Sequence, residues 1–339
     1  MDFICVTGTN GKTSTTFYIR HLLGGEKIGV IGTLGAFVGD KEVEYSGPRL
    51  TTPDGKQLCE IISKMKKLRV KTIVMEASAH GIVQGRMNGI KYRVGVFTNL
   101  TQDHLDYFKN MESYAKVKTD FMCSDQIENA VVNTDDIYGR KIFASRDNVR
   151  AYHVGKNFTE SNANAAVEVA KIMGVGERKI QKRLKTMPQI AGRFQTLTLP
   201  SGATVIIDYA HTPDGLEKVL TAARAITKYR LFVVFGCGGN RDTAKRPIMG
   251  QIAVELADYV VVTSDNPRNE NAIEIMNQIG VGVKIIDRET AIKHALDMAK
   301  AGDVVVIAGK GAEDYMEIKG VKYPYNDLSV VKNYIRGKK

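Results

Sequence analysis

The chain has 339 residues, a length typical of two domains, and 43% of them are apolar, which is enough to build buried cores. The formal net charge is +11, but the lysines are scattered and are not interleaved with aromatic residues. We therefore expect the positive charge to serve nucleotides or acidic metabolites, and not nucleic acid. No apolar run is long enough to span a bilayer and the start is not a signal peptide, so we expect a cytoplasmic protein without membrane association.

Short apolar strands alternate with helical patterns from the start of the chain. Predicted strands cover residues 3–7, 72–75, 94–98 and 130–133, and predicted helices cover 14–23 and 162–173. This alternation is typical of an α/β domain with a mainly parallel sheet and helices on both faces. Pro188 and Gly192 then interrupt the helical pattern, so we predict one domain over residues 1–190 and a second over 191–339.

The second half repeats the alternation, which predicts a Rossmann-like α/β domain. Its predicted strands cover residues 205–207, 231–235, 259–263, 283–286 and 304–307, and its predicted helices include 273–279 and 289–299. We expect the basic end, residues 336–339, to be a frayed tail. Polar, acidic or glycine residues follow many strands in both halves: Glu76, Asn99, Asp208, Gly236, Asp265 and Gly309. Open α/β sheets bind ligands at this end of their strands, so we expect substrates there.

Residues 6–13 read Val-Thr-Gly-Thr-Asn-Gly-Lys-Thr, between a predicted strand and a predicted helix. Gly8 and Gly11 allow backbone amides to point at phosphate oxygens near a helix N-terminus. In such a loop Lys12 reaches the β- and γ-phosphates and the Thr13 hydroxyl suits Mg²⁺. The usual P-loop has a glycine where this chain has Val6, so an ordinary strand–helix turn stays an alternative.

Four further positions carry candidate chemistry. Glu76, after a strand, is either a cap or a Mg²⁺ ligand through hard oxygen. His104 is either a metal ligand or an ordinary loop histidine, and Asp208 lies in a cluster that suits ribose and base. Arg268, in Asp-Asn-Pro-Arg, can bind a carboxylate through two hydrogen bonds. For the clusters that contain Asp208 and Arg268, a charged loop at a strand end is the alternative interpretation.

Eight segments together resemble the Mur ligases, most closely the branch that adds the third residue of the muramoyl peptide. The segments occur in family order across almost the whole chain: 7–13 (TGTNGKT), 51–53 (TTP), 76–81 (EASAHG), 97–107 (FTNLTQDHLDY), 208–214 (DYAHTPD), 236–247, 265–268 (DNPR) and 309–315 (GKGAEDY). The resemblance implies that ATP phosphorylates a substrate carboxylate and that an amino acid then attacks the acyl phosphate, with ATP and Mg²⁺ as cofactors.

The resemblance also implies roles for individual residues. The catalytic residues would be Lys12, Glu76, His104 and Lys118, and the metal ligands Thr13, Glu76, His104 and, if it is carbamylated, Lys118. Contacts to ATP would come from Gly8, Thr9, Asn10, Gly11, Lys12, Thr13, Ser14, Asp208, Asn240 and Arg241, although Arg241 has the amino acid as an alternative target. Contacts to the muramoyl peptide would come from Thr51, Thr52, Ser78, Gln84 and Arg86. The amino-acid pocket would comprise Asp265, Asn266, Arg268, Gly309 and Glu313.

The implied amino acid is meso-diaminopimelate, because its distal carboxylate matches Arg268 whereas the cationic end of lysine would be repelled. Ala79 and Ala312 depart from the family pattern, which has polar residues there. The family also has a first domain that holds the uridine nucleotide, whereas this chain starts two residues before its first predicted strand. We therefore expect a substrate without that anchor, a separate uridine-binding subunit, or a truncated or diverged form.

Two other functions stay open at this stage. One is a related ligase with another acceptor, such as a pseudomurein, polyglutamate or cofactor peptide. The other is a non-catalytic nucleotide-binding module, against which Lys12, Thr13, Glu76, His104 and Lys118 argue. A dinucleotide-binding oxidoreductase is not expected, because no G-x-G-x-x-G pattern opens either half.

Overall fold

The computed structural model describes residues 1–338, apart from the side chain of Asp106. It divides into two compact units, of which the first contains residues 1–101 and 107–188 and the second contains residues 102–106 and the chain from 189 onwards. Both units are α/β structures built on mainly parallel sheets, which confirms the predicted fold class. Within the described residues, no helix has the length and apolar character needed to cross a membrane.

The chain up to residue 188 alternates strands with helices. Its strands are β1 (Asp2–Thr7), β2 (Ile28–Gly32), β3 (Gly35–Val38), β4 (Lys41–Glu42), β5 (Thr72–Glu76), β6 (Tyr92–Phe97), β7 (Ile127–Asn133) and β8 (Val149–Tyr152). Its helices are α1 (Lys12–Leu23), α2 (Gly55–Lys67), α3 (Ala79–Val83), α4 (Leu105–Phe108), α5 (Met111–Cys123), α6 (Ile137–Ala144), α7 (Phe158–Ile172) and α8 (Glu177–Leu184).

Among the described residues, these strands form one sheet in the order β4-β3-β2-β5-β1-β6-β7-β8. Only β3 runs antiparallel to its neighbours β2 and β4. The central strand β1 is apolar and buried on both faces, as parallel strands covered by helices are. Its Val6 pairs with Glu76 of β5 on one side and with Val96 of β6 on the other. The loops that follow these three strands therefore meet at one edge of the sheet.

The second unit carries a smaller sheet. Its strands are β9 (Gln195–Thr198), β10 (Thr204–Asp208), β11 (Leu231–Phe235), β12 (Tyr259–Thr263), β13 (Val283–Ile285), β14 (Val304–Ala308), β15 (Tyr315–Ile318) and β16 (Val321–Pro324). Its helices are α9 (Pro213–Arg224), α10 (Lys245–Leu256), α11 (Ala272–Ile279), α12 (Arg288–Met298) and α13 (Asp327–Gly337). In the described part of the unit the sheet order is β13-β12-β11-β14-β10-β9, with β9 antiparallel, and β15 and β16 form a separate hairpin.

The prediction of a frayed basic end was wrong for residues 336 and 337, because α13 continues through Gly337. Val330 and Val331 bury one face of this helix in the core, and its Asp327 forms a fully buried ion pair with Arg288 at 2.9 Å. Packing of this kind stabilises a helix to its last turn regardless of exposed basic residues. Residue 339, which the prediction also covered, lies outside the described residues.

Candidate active site

The glycine-rich loop between β1 and α1 is held by the segment after β6. Gly8 has φ 144° and packs so closely that a Cβ there would lie 1.9 Å from Oγ1 of Thr98. Gly11 caps α1 in the left-handed region, with φ 85°. The amide of Asn10 donates to Oδ1 of Asn99 at 3.0 Å. The loop therefore needs glycine at both positions, one for close approach and one for its backbone angle.

Two lysines converge on this loop from different helices. Nζ of Lys12 donates to the carbonyl oxygens of Gly8 and Thr9, at 2.9 and 2.7 Å. Nζ of Lys118, on α5, donates to the same Gly8 oxygen at 2.6 Å and lies 4.8 Å from the ring centroid of Tyr114. Lys118 is 1% exposed. Two cations therefore flank one carbonyl, and this concentrates positive charge where the loop presents its amides.

Glu76 lies at the end of β5 with its carboxylate directed at this loop. Oγ1 of Thr13 donates to Oε1 of Glu76 at 2.9 Å, and Thr33 donates to the carboxylate twice, from its amide at 2.9 Å and from its hydroxyl at 3.1 Å. A Cβ on Gly32 would lie 2.2 Å from the same Oε1. The small residue therefore leaves the space that the carboxylate occupies.

The donor set around Glu76 fits a divalent cation. A carboxylate and a hydroxyl are hard oxygen ligands of the kind that Mg²⁺ prefers together with substrate phosphates. Among the described residues, no group of three or more His, Cys, Asp or Glu side chains is arranged to hold a metal. A metal bound to Thr13 and Glu76 would therefore depend on phosphate oxygens to complete its ligands.

Five predicted substrate contacts form one polar cluster beside Glu76. The hydroxyl of Thr52 donates to the backbone carbonyl of Glu76 at 2.8 Å and receives the amide of Ser78 at 2.9 Å. Arg86 donates to the carbonyl of Thr52 at 2.7 Å and to the side chain of Gln84 at 2.6 and 2.9 Å. The remaining member is Thr51, whose hydroxyl lies 3.1 Å from that of Thr33.

The second unit contains a polar cavity at the carboxyl ends of its strands. The structure brings seven predicted site residues to its wall, namely His104, Arg241, Asp265, Asn266, Arg268, Gly309 and Glu313. Gly309 packs against Asp265, since a Cβ there would lie 2.6 Å from Oδ2. Burial raises the pKa of Asp265, but the cations of Lys310 and Arg288 outweigh that effect and the net pKa is lowered. The carboxylate is therefore ionised at neutral pH.

Arg268 is held in a strained backbone conformation, with φ 50°. Its Nε donates to Oε2 of Glu317 on β15 at 3.2 Å, and one terminal nitrogen donates to the carbonyl of Gly239 at 2.8 Å. Within the described part of the chain, the other terminal nitrogen makes no hydrogen bond to protein. The guanidinium is therefore oriented by the hairpin while part of it stays available for an anion.

Asp208 and Asn240, both predicted to contact the nucleotide, do not line the cavity. The carboxylate of Asp208 accepts the amides of Phe194 and Ala210 at 2.6 and 2.8 Å. Burial raises the pKa of Asp208, and the neighbouring Arg193 offsets only part of that rise. Asn240 is exposed, with φ 52°, and its amide donates to Glu270.

The predicted metal ligands are divided between the units. Thr13, Glu76 and Lys118 belong to the first unit, whereas His104 groups with the second. His104 has φ 55° and a side chain that is 40% exposed, and its Nε2 lies 3.4 Å from Oδ2 of Asp103.

Two family models match the chain: "Mur ligase middle domain" over residues 6–197 and "Mur ligase, glutamate ligase domain" over residues 192–311. The UDP-N-acetylmuramoyl-L-alanyl-D-glutamate–2,6-diaminopimelate ligase of Aquifex aeolicus (strain VF5) is 40% identical over 99% of this chain and 78% of that protein. The chain belongs to the Mur ligase family. The predicted class, an ATP-dependent ligase that joins an acid to an amino acid, is thereby confirmed.

Two solved structures resemble this Mur ligase. One, of a UDP-N-acetylmuramoyl-L-alanyl-D-glutamate–2,6-diaminopimelate ligase, has a TM-score of 0.66 and 31% identity, and the match covers 100% of this chain and 79% of that one. The other is a bifunctional folylpolyglutamate synthase/dihydrofolate synthase with Mn, AMPPNP and L-glutamate bound, with a TM-score of 0.72 and 19% identity over 91% of this chain and 86% of that one. The second likeness is one of fold. ATP and a divalent metal ion are the cofactors that this family implies.

Sequence reasoning missed several residues that the structure places at these sites in the Mur ligase. Thr33 donates hydrogen bonds to Glu76 but lies in no sequence motif, so only the three-dimensional structure reveals its place at the site. His211 and Lys245 line the cavity, and both lie inside or next to motifs that the sequence already marked. Nδ1 of His211 lies 2.8 Å from the carbonyl of Tyr209, and burial, together with the cation of Lys245, lowers the His211 pKa.

Proposed function

We propose that this Mur ligase joins meso-diaminopimelate to a carboxyl group of a muramoyl-L-alanyl-D-glutamate substrate, with conversion of ATP to ADP and phosphate. The observation that carries the amino-acid part is the cavity wall that combines Arg268 with Glu313 and Asn266. Diaminopimelate has an ammonium and a carboxylate at each end, so it can engage an arginine and an acid at the same time. Lysine offers no distal carboxylate to Arg268.

The reaction proceeds through two displacements. An oxygen of the substrate carboxylate attacks the γ-phosphorus of ATP, the bond to the β–γ bridging oxygen breaks, and ADP leaves. The amine of the amino acid then attacks the acyl carbon and loses a proton, and the carbon–oxygen bond to phosphate breaks. Both steps depend on positioning and on neutralisation of charge rather than on a protein nucleophile.

In this proposal the first domain, over residues 1–190, binds ATP on the loop from Gly8 to Ser14. The loop amides donate hydrogen bonds to the phosphate oxygens, and Lys12 exchanges its bonds to loop carbonyls for bonds to phosphate oxygen. Thr13 and Glu76 are the residues that would hold Mg²⁺, which offsets the phosphate charge when it is bound. Asp208, Asn240 and Arg241 are assigned to the nucleotide side, with the amino acid as the other target of Arg241.

The muramoyl peptide is assigned to the polar cluster of Thr51, Thr52, Ser78, Gln84 and Arg86. Hydrogen bonds that link this cluster to Glu76 support the assignment. Thr52 donates to the backbone carbonyl of Glu76, and Thr51 contacts Thr33, which donates to the Glu76 carboxylate. A carboxylate bound there would lie close to the residues assigned to the metal. A cytoplasmic location follows from ATP as the co-substrate.

The second metal is assigned to His104 and to Lys118 in a carbamylated form. A carbamate would turn the Lys118 cation into an anion that can bind a metal through oxygen. The buried position of its Nζ, which is bonded to the Gly8 carbonyl, supports a role at the phosphate loop. The second domain, over residues 191–339, is assigned to the incoming amino acid.

Phosphate release from ATP tests the proposed function. The wild-type chain is assayed with UDP-muramoyl-L-alanyl-D-glutamate and a panel of diaminopimelate, lysine and glutamate, with each substrate also omitted in turn. We expect release only when both the muramoyl dipeptide and diaminopimelate are present. Lys12→Ala should abolish it, and Lys27→Ala, which changes an exposed lysine of the same unit, should not.

The panel also separates the alternatives. Release that depends on glutamate or lysine in place of diaminopimelate would indicate a ligase with another amino-acid specificity. ATP binding without release under any combination would indicate a non-catalytic module. Either outcome would overturn the proposal.

A further inference from the structure

A buried lysine lies directly behind the wall of the amino-acid cavity. Lys310 follows β14 in the segment Gly309–Lys310–Gly311, and its side chain is 0% exposed. It is not part of the cavity wall, whereas its neighbours Asn266 and Glu313 are. A side chain placed in this way cannot contact a ligand itself, so any role in binding must act through the residues that it touches.

The polar contacts of Lys310 are with three residues of the cavity wall, namely Asp265, Asn266 and Glu313. Its Nζ donates to Oδ1 of Asn266 at 3.1 Å and to Oε2 of Glu313 at 2.9 Å. The same nitrogen lies 3.8 Å from Oδ1 of Asp265 and 5.6 Å from the ring centroid of Tyr315. One ammonium group therefore balances two carboxylates and orients one amide.

The side chain of Asn266 connects Lys310, Glu313 and the backbone of Glu317 in one hydrogen-bond network. Its Nδ2 donates to Oε2 of Glu313 at 2.9 Å, and its Oδ1 also accepts the amide of Glu317 at 2.9 Å. Both side-chain bonds to Glu313 end on Oε2, and in the described part of the chain Oε1 accepts none. The network therefore fixes one carboxylate oxygen and leaves the other for a donor in the cavity.

We propose that Lys310 is a positioning residue for the amino-acid substrate, whose ammonium group holds Glu313 and Asn266 so that Oε1 of Glu313 receives the substrate ammonium. This inference rests on the proposed function, because it assigns the cavity to an amino acid. The substrate ammonium would then pair with Oε1 of Glu313, while Oε2 stays paired with the Lys310 ammonium. This arrangement keeps the net charge of the cavity near zero.

Arg288, the other cation that lowers the pKa of Asp265, cannot replace the Lys310 ammonium. Arg288 is fully buried and donates to both carboxylate oxygens of Asp327 at 2.9 Å. Without the Lys310 ammonium, the buried Asp265 and the partly exposed Glu313 would be two neighbouring negative charges without the cation that they share. Glu313 would then turn towards solvent, and its Oε1 would no longer be held in position for the substrate.

The test is a kinetic comparison of the wild-type chain with Lys310→Met, which keeps an unbranched side chain but removes the ammonium. We expect the KM for diaminopimelate to rise by about 10-fold to 100-fold, the loss that corresponds to hydrogen bonds with charged groups. The KM for ATP should stay unchanged, and kcat at saturating diaminopimelate should change by less than about threefold, because the interaction serves binding.

Further variants separate positioning from stability. Val305→Ala, in the core of β14, lowers stability close to the same loop and should leave every KM unchanged. Lys310→Arg keeps the charge and should recover part of the diaminopimelate affinity. Lys310→Met combined with Glu313→Gln should cost little more than Glu313→Gln alone, because the lysine acts through that acid. If Lys310→Met does not fold, the same kinetic comparison is made with Lys310→Gln, which also removes the ammonium.

An unchanged KM for diaminopimelate in a folded Lys310→Met or Lys310→Gln variant would overturn the role of Lys310 and leave the proposed function intact. Equal losses for ATP and diaminopimelate would overturn it too, since they indicate a structural role. A wild-type chain without diaminopimelate-dependent phosphate release would instead overturn the proposed function. The two failures are therefore distinguished by the wild-type assay alone.

Discussion

Oγ1 of Thr13 donates a hydrogen bond of 2.9 Å to Oε1 of Glu76, although 63 positions separate the two residues in the chain. The bond joins the first turn of α1 to the end of β5 at the edge where the central strands end. Because Gly32 is the residue that makes room for the Glu76 carboxylate, the geometry of this pair can be disturbed without changing either member.

Gly32→Ala should weaken the binding of Mg²⁺ while leaving the enzyme folded. The added Cβ would lie 2.2 Å from Oε1 of Glu76, so the carboxylate must move away from Thr13. We expect the apparent affinity for Mg²⁺ to fall by about 10-fold to 100-fold, as when a partner that orients a metal ligand is lost. Phosphate release across a Mg²⁺ titration measures this. Gly55→Ala, where a Cβ meets nothing within 4 Å, is the matched control, and equal behaviour of the two variants would contradict the prediction.

Lys118→Ala should abolish ligation, whether or not the lysine is carbamylated, because it removes a buried group bonded to Gly8. If the carbamate forms, added bicarbonate should raise the activity of the wild type and intact mass should show the corresponding gain. Lys116→Ala is the control, since this lysine is exposed on the same helix and pairs only with Asp120. An active Lys118→Ala enzyme would show that the reaction does not require Lys118.

Arg268→Ala should lose the preference for diaminopimelate over lysine. The guanidinium is assigned to the distal carboxylate, and the loss of a charged hydrogen bond of this kind should reduce selectivity by about 10-fold to 100-fold. The ratio of kcat/KM for the two amino acids is the measurement. Lys293→Ala removes an exposed cation of the same unit, which pairs with Glu289, and should leave the ratio unchanged. An unaltered ratio in Arg268→Ala would show that Arg268 does not determine the preference for diaminopimelate.

Asp303→Asn should destabilise the second unit in a pH-dependent way. Asp303 is 2% exposed and accepts three hydrogen bonds of 2.9 Å, from the amides of Lys300 and Arg230 and from the Arg230 guanidinium. Burial raises its pKa, but these donors outweigh that effect and lower the net pKa below the ordinary 3.8. A lowered pKa stabilises the folded state above the unfolded pKa, and this contribution is lost as pH falls towards the folded value.

We therefore expect Asp303→Asn to reduce the free energy of unfolding by about 2 kcal/mol at pH 7, and the difference from wild type to shrink below about pH 4. Urea denaturation at several pH values measures it. Asp125→Asn, at an exposed position, should show no such difference. A difference that stays constant down to pH 3 would contradict the assigned cause.

Local sequence was sufficient for the main elements and for the phosphate loop. The run before Gly8 is apolar enough for a buried strand, and Gly11-Lys12-Thr13 is a pattern whose meaning depends only on neighbours in the chain. The short strands β2 to β4 and the hairpin of β15 and β16 were not predicted, because strands of two to five residues carry little periodicity and glycine interrupts the apolar run of β2. The frayed end was wrong because burial of Val330 and Val331 stabilises α13 beyond what its basic composition indicates.

The sequence by itself determined the α/β class, the loop from Gly8 to Thr13 and, through the resemblance of its motifs, the family. Only the tertiary structure decided which polar side chains meet: Thr33 with Glu76, Lys118 with Gly8, and Lys310 with Asn266 and Glu313. Motifs are local and can be read from neighbours along the chain. Contacts such as the one between Lys118 and Gly8, 110 positions apart, depend on strand order and helix packing, which bring distant residues within hydrogen-bonding distance.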